Sequence, residues 1–393
     1  MNLERLPFRA GVEQYQIQAR ELLEAFNSGD SEAVQFFHQN HPQFRHAKIA
    51  WLPREVPESE IKGAAFDLAG AQLALARWYD FQTWQTLAEY VEAVTKDDSP
   101  VFQFESGIEA VITGDLPTLE SSLRKNPELV RARSTRITPF DPPVHRATLL
   151  HYVAANGVEG YRQKSPPNAV EIAKALLQAG TEVDAFADLY GRPCTTMSLL
   201  VSSCHPANAG VQVALVETLL DFGAAIEGRG GQWGKGGKEN GSPLTTALAF
   251  GYRDAADALV RRGARVDDLP TAAGLGRFDD AARLLPTADA ASRHAALALA
   301  AQHGHIEIVR LLLDAGEDPN RYNPKGHHDH STPLHQAIAG GHDAMVRLLI
   351  ERGARLDIKD TIWQGTPVGW AEHLGKTDIE NYLRARRIAL NPD

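Results

Sequence analysis

Apolar and polar residues alternate with helical spacing in short paired stretches along the C-terminal part of the chain. In residues 331–353, the segment Thr332-Pro333-Leu334-His335 opens one helical stretch, and Val346-Arg347-Leu348-Leu349 lies in a second one. Gly341 separates the two, and close copies of the whole unit lie on both sides. A helix pair of this size cannot bury its apolar face alone, so neighbouring units must supply the rest of the core. The pattern therefore predicts a stacked array of helix pairs.

The spacing of the units supports this prediction. The opening residue and the closing glycine are 21 residues apart in three copies: Thr332 to Gly353, Ser242 to Gly263, and Ala295 to Gly316. Thr or Ser caps the first helix, and a following Pro gives up an amide that would be unpaired anyway. The closing Gly adopts the left-handed conformation that ends the second helix. We count about eight copies over residues 101–390, with hairpin-like fingers between them.

A different pattern precedes the repeats. Residues 12–39 and 67–94 show apolar residues at helical spacing, and a polar linker with Pro53 and Pro57 separates the two stretches. We interpret residues 1–100 as a leader of three or four helices that caps the first repeat. The predicted fold class is therefore all-α: a solenoid of paired antiparallel helices preceded by a small helical cap.

Composition restricts the function. Among 393 residues, 40 basic and 50 acidic side chains give a net charge of −10, which argues against broad binding to nucleic acid or anionic membranes. No apolar run approaches the ~20 residues that span a bilayer, and the first residues do not read as a secretory signal. Two cysteines, Cys194 and Cys204, are too few for a disulfide framework. We expect a cytoplasmic protein.

The repeats resemble those of ankyrin-repeat proteins. The resemblance rests on the copy in residues 331–353 and on Gln302-His303-Gly304-His305 followed by residues 309–316, and it covers roughly residues 105–387. Residues 67–84 look like the helical leader of some multi-repeat bacterial ankyrin proteins. The resemblance implies recognition of a protein partner through the concave helices and the finger tips. It implies no cofactor and, in most members, no catalysis.

Insertions depart from the plain repeat. Residues 158–168 and 202–210 lie between the two helices of consecutive repeats, so we expect them side by side. Several residue types of an acid–base site lie near them: His151, Tyr161, Arg162, Lys164 and His205. No nucleophile and base can be assigned from their spacing. An enzyme or a small-molecule binder, with a pocket between the enlarged fingers and the concave helices, is therefore the alternative to a recognition protein.

The fingers between repeats carry aromatic and histidine side chains, which are typical of binding surfaces. We predict that the binding residues are Tyr190, Trp233, Tyr322, His327, His328, His330 and Trp363. Three of these form a short histidine cluster that also contains Asp329, and such a cluster could ligate zinc. Because His327 and His328 are adjacent, both rings rarely reach one ion, so we expect no metal. The predicted function is non-enzymatic recognition of a macromolecular partner.

Overall fold

The computed structural model describes residues 3–7, 9–46, 52–97, 99–228 and 242–390. Helices dominate these residues, so the prediction of an all-α protein is confirmed. The chain divides into two compact units, Met1–Gly223 and Ala224–Asp393, which are described separately below. None of the helices in the described ranges is long and apolar enough to cross a membrane.

The first unit begins with a helical leader. The described part of the leader holds five helices: α1 (Val12–Asn27), α2 (Ser31–Asn40), α3 (Glu58–Lys62), α4 (Leu68–Trp78) and α5 (Trp84–Val94). This is more than the three or four expected, partly because the first apolar stretch divides in two. Gly29 adopts a left-handed φ of 81°, and the Asp30 side chain then caps α2 by accepting a hydrogen bond from the amide of Ala33 at 2.9 Å.

Aromatic packing holds the leader together. Helix α4 packs on α1, α2 and α5, and a cluster of Phe26, Phe37, Phe44 and Phe66 fills the space beside it. The rings of Phe37 and Phe66 are stacked with centroids 4.4 Å apart. Phe37 and Phe44 are fully buried, so these rings form the core of the leader.

The rest of the first unit contains three helix pairs. Their helices are α6 (Pro100–Thr113) with α7 (Leu116–Lys125), α8 (Leu149–Val153) with α9 (Ala169–Gln178), and α10 (Thr196–Leu200) with α12 (Gln212–Asp221). The insertions lie inside the second and third pairs, as predicted: a 3-10 turn at Gly160–Arg162 and the short helix α11 (Cys204–Asn208). Helix α8 packs on both α6 and α10, so each pair covers the apolar face of its neighbour.

A hairpin is the finger that follows α9. Strands β1 (Ala187–Leu189) and β2 (Arg192–Cys194) are antiparallel, with Leu189 opposite Arg192. The two residues between them, Tyr190 and Gly191, have φ values of 54° and 69°. Positive φ at both central positions is typical of the tight turns that match the twist of a hairpin, and it places Tyr190 at the tip.

The second unit consists of five helix pairs in its described residues. They are α13 (Pro243–Ala249) with α14 (Arg253–Arg261), α15 (Leu269–Gly274) with α16 (Phe278–Leu284), α17 (Ala290–Gln302) with α18 (Ile306–Asp314), α19 (Pro333–Ala339) with α20 (Asp343–Glu351), and α21 (Pro367–His373) with α22 (Thr377–Leu390). The first helices of successive pairs pack on one another from α13 to α21. A continuous core of Ala, Leu, Ile and Val side chains runs through the stack from Leu269 to Leu383.

One hydrogen-bond motif joins successive repeats in both units. In the second unit, the hydroxyl of Thr332 lies 2.8 Å from Nδ1 of His335, and Nε2 of His335 lies 3.3 Å from the carbonyl oxygen of Gly365 in the next repeat. In the first unit, Thr148 and His151 repeat the same capping distance of 2.8 Å. The motif histidine therefore caps its own helix and reaches the neighbouring finger, which is a structural role.

Candidate functional site

Two inter-repeat fingers of the second unit carry exposed aromatic side chains. Finger A comprises residues 315–332 and finger B residues 352–366. Tyr322 of finger A is 42% exposed and Trp363 of finger B is 53% exposed. The Tyr322 hydroxyl donates a 2.6 Å hydrogen bond to the carbonyl oxygen of Lys359, which ties the two fingers together. Tyr322 and Trp363 thus lie on adjacent fingers joined by a direct hydrogen bond.

A buried carboxylate fixes finger B. Asp360 is fully buried and accepts hydrogen bonds from the amides of Ile362, Trp363 and Gly365 at 2.6–2.9 Å. It also accepts one from the indole N–H of Trp370 at 2.9 Å. Burial would raise the pKa of Asp360, but these donors outweigh it and hold that pKa below its ordinary value. The charged carboxylate therefore folds the loop that presents Trp363.

His330 lies between the fingers and the helix behind them. Its ring is edge-on to Trp363, with centroids 5.3 Å apart, and 6.0 Å from Trp370. Its carbonyl oxygen accepts a 2.8 Å hydrogen bond from the amide of Thr361 in finger B. His330 and Trp363, both predicted binding residues, are therefore in contact, and His330 supports the exposed indole from one side.

His327 and His328 have different environments. Nε2 of His328 donates a 2.8 Å hydrogen bond to the carbonyl oxygen of Ala249, and the ring packs edge-on against Phe250 with centroids 5.9 Å apart. Nε2 of His327 is buried without a hydrogen-bond partner. Burial lowers the pKa of both histidines. Both side chains are thus partly buried.

The histidines of finger A, His327, His328 and His330, do not form a metal site in this structure. Within the described residues, no group of three or more His, Cys, Asp or Glu side chains has an arrangement that could hold a metal ion. Nε2 of His328 already donates a hydrogen bond to the carbonyl oxygen of Ala249. The rings of His328 and His330 are nearly perpendicular, with an angle of 86° between their planes. The observed contacts give these histidines packing and hydrogen-bonding roles.

Tyr190 and Trp233 remain from the predicted set. Tyr190 belongs to the first unit, is 64% exposed, and donates a 2.6 Å hydrogen bond to Oδ1 of Asn156. It lines the mouth of a cavity of about 680 Å³, called the hairpin cavity below. Trp233 lies outside the described residues. The structure therefore brings Tyr322, His330 and Trp363 together in the second unit and places Tyr190 on a separate finger of the first.

A buried ionic network in the first unit was not predicted. Nε of Arg136 lies 3.2 Å from Oε1 of Glu159, and Nε2 of His145 lies 3.0 Å from the same oxygen. Beside them, Arg162 forms an ion pair with Glu105. All five side chains are buried. The pairs link the insertion at 158–168 to α6 and to the finger before α8.

The charges in this network stabilise one another. Burial raises the pKa of Glu159, but Arg136 and then His145 counter it and hold that pKa well below its usual range. Arg136 also donates hydrogen bonds to the Tyr161 hydroxyl at 2.8 Å and to the carbonyl oxygen of Tyr79 at 2.7 Å. Because Tyr79 belongs to the leader, Arg136 joins the leader to the repeats. The contacts of Arg136 are therefore structural.

Most of the residues predicted as a possible acid–base set take part in structural contacts. Arg162 pairs with Glu105, Tyr161 accepts from Arg136, and His151 occupies the capping motif of its repeat. Lys164 is exposed and His205 is half-buried. Three of the five therefore have structural partners that account for them.

Comparisons with known proteins identify repeats of a known family in this chain. A family model described as ankyrin repeats, in three copies, matches residues 271–385. Cyclin-dependent kinase 4 inhibitor B of Bos taurus is 35% identical over 118 residues, which is 23% of this chain and 89% of the relative. Cyclin-dependent kinase inhibitor 2A of Homo sapiens is also 35% identical over 118 residues, 23% of this chain and 75% of the relative.

A third relative is larger. E3 ubiquitin-protein ligase KEG of Arabidopsis thaliana is 43% identical over 77 residues, 19% of this chain and 4% of that protein. The likeness to the two inhibitors extends over most of their own length. The chain therefore belongs to the ankyrin-repeat family.

Proposed function

We propose that this chain is a non-enzymatic recognition protein that binds a protein partner through its finger tips and the concave face of its repeats. The observation that carries the proposal is the pair of exposed aromatic side chains, Tyr322 and Trp363, on the linked fingers A and B. Large aromatic groups that stay partly exposed on a fixed backbone are typical anchors of protein interfaces.

Preorganisation supports the proposal. Asp360 fixes the backbone around Trp363 with hydrogen bonds from three amides and one indole, and Tyr322 is held by its bond to Lys359. A binding surface that is already ordered loses little conformational freedom when a partner docks, so more of the contact energy is available as affinity. His330, in contact with Trp363, adds a polar group beside the apolar anchor.

The relatives favour a protein as the partner. Two of them are named inhibitors of cyclin-dependent kinases, which are themselves proteins. The family match covers the repeats that carry fingers A and B. The net charge of −10 favours a partner surface with basic residues over nucleic acid. We include Tyr190, Trp233, His327 and His328 in the proposed binding set.

A footprint of a purified complex tests the proposal. The full chain is used to capture a partner, the two proteins are purified together, and amide hydrogen exchange is compared between the free and bound chain. We expect slower exchange in fingers A and B on binding. Protection confined to residues 1–100 or to the insertions at 158–168 and 202–210 would contradict the proposed surface.

A further inference from the structure

The hairpin cavity is built from five segments of the first unit. The loop after α2 and the end of α4 contribute Arg45, Arg77 and Asp80, and the finger before α8 contributes Phe140. The insertion of the second repeat and the β1–β2 hairpin complete the wall, the hairpin through Leu189 and Tyr190. A volume of about 680 Å³ lies within the range of small-molecule sites, roughly 300–1,000 Å³.

Hydrogen bonds between these segments hold the cavity in shape. The amide of Gln82 donates to the carbonyl oxygen of Ile137 at 3.0 Å, which joins the leader to the finger. The amide of Gly160 donates to Oδ2 of Asp80 at 2.9 Å, which joins the insertion to the leader. The amide of Asp188 donates to the carbonyl oxygen of His145 at 2.7 Å. The segments therefore form a preformed site.

Arg77 is a charged residue of this wall with a nitrogen that makes no hydrogen bond. Its Nε is buried without a hydrogen-bond partner, and it forms no ion pair with a carboxylate of the described residues. Burial, followed by the nearby charge of Arg45, lowers its pKa. An anionic ligand in the cavity would supply an acceptor to the Arg77 guanidinium.

Three carboxylates also line the cavity: Asp80, Asp141 and Asp188. Asp80 interacts electrostatically with Arg45, and one of its oxygens accepts from Gly160. Burial and then the charge of Glu159 raise the pKa of Asp80 to about 6. Asp141 and Asp188 belong to the finger and the hairpin, whereas both arginines come from the leader. The leader side of the wall thus holds two cationic groups and one carboxylate.

Aromatic groups border the same cavity. Phe140 is 45% exposed and Tyr190 is 64% exposed, although both belong to short, well-bonded segments. Leu189 beside them is almost fully buried. Exposed aromatic rings near two arginines suit a ligand that combines a flat apolar part with an anionic group.

We propose that the hairpin cavity binds a small molecule in which a carboxylate or phosphate group is attached to an aromatic or apolar ring. Arg77 binds the anionic group, Arg45 adds positive charge beside it, and Phe140 and Tyr190 contact the ring. This site lies wholly in the first unit. It shares Tyr190 with the proposed protein-binding set but none of the residues of fingers A and B.

Calorimetric titration of the full chain with phenyl phosphate and with benzoate tests the proposal. We expect saturable binding of at least one probe, at least tenfold weaker binding by R77Q, and unchanged binding by R131Q, a matched change at an arginine that is 79% exposed. Wild-type affinity in folded R77Q would overturn the proposal, as would no binding of either probe at millimolar concentration.

R77K and Y190A provide the same test if R77Q does not fold. Lysine keeps the charge but loses the planar, two-pronged donor set, so R77K should bind phenyl phosphate several-fold more weakly. Y190A should weaken phenyl phosphate binding and leave the response to inorganic phosphate unchanged. Wild-type affinity for phenyl phosphate in both variants would overturn the proposed roles.

Discussion

The indole N–H of Trp370 donates a 2.9 Å hydrogen bond to Oδ2 of Asp360, and the same oxygen accepts the amide of Gly365 at 2.8 Å. This bond connects helix α21 to finger B, on which Trp363 is exposed. The other carboxylate oxygen of Asp360 accepts the amide of Trp363 itself at 2.6 Å. The core of the last repeat and the presentation of the proposed anchor therefore depend on one side chain.

Replacing Asp360 with alanine should destabilise the second unit by about 2–3 kcal/mol or more, because it leaves several buried donors without an acceptor. Chemical denaturation of the full chain measures the change. Asp357→Ala is the matched control in the same finger: its carboxylate is 69% exposed and pairs only with Arg355, so the loss should be within ~1 kcal/mol. Equal losses in the two variants would show that Asp360 does not organise the finger.

The repeats could be predicted from sequence because their determinants are local. Thr332, Pro333 and His335 lie within four positions, and the capping they predict is present. The closing glycines, such as Gly316 and Gly353, have φ values of 93° and 90°, as a left-handed helix end requires. Each of these features depends on neighbours in sequence, so a single chain is enough to identify it.

The ionic network and the hairpin cavity could not be predicted in this way. Arg162 and Glu105 are 57 residues apart, as are Arg136 and Tyr79, and no spacing rule links such positions. The sequence places Arg162 only in a possible acid–base set and does not predict its ion pair with Glu105. The partial burial of His328 likewise depends on Ala249, 79 residues away. Only the three-dimensional packing reveals these partners.

Leu348→Ala should lower the stability of the second unit by ~2–5 kcal/mol, since Leu348 is 3% exposed and packs in the continuous core. Because contacts in a repeat stack are between neighbours, exchange should increase over residues 292–386 before it increases in the leader. Leu374→Ala, at a site 42% exposed, is the control and should have a small effect. Exchange that increased equally from the leader to α22 would contradict this prediction.

Acid should destabilise the second unit through His303 and His335. Burial lowers the pKa of each to about 4, whereas an unfolded histidine has a pKa of about 6.5. The neutral forms therefore stabilise the fold fully above pH ~6.5, and this contribution is lost as the pH falls toward 4. Each of these pKa differences corresponds to roughly 3 kcal/mol.

Melting temperatures between pH 7 and pH 5 measure this effect. We expect a decrease with falling pH that is shallower in His335→Asn, while His373→Asn, at an exposed site, retains the wild-type slope. His335 must be neutral because its Nδ1 accepts the amide of Thr332. A melting temperature that stays constant over this range would contradict the prediction.

The histidines of finger A should bind no metal that the fold requires. Nε2 of His328 is engaged with Ala249, and the repeat core is apolar. Treatment with a chelator should therefore leave the melting temperature unchanged. Stoichiometric zinc in elemental analysis, together with a large loss of stability on chelation, would show that the loop is a structural metal site.

The affinity of Trp363→Ala for the captured partner tests the central claim most directly. Truncation of an aromatic anchor costs ~2 kcal/mol or more, so we expect binding at least ~30-fold weaker with little change in melting temperature. Phe278→Ala, which removes a ring 44% exposed on α16 and outside fingers A and B, should bind as the wild type does. Wild-type affinity in folded Trp363→Ala would contradict the account.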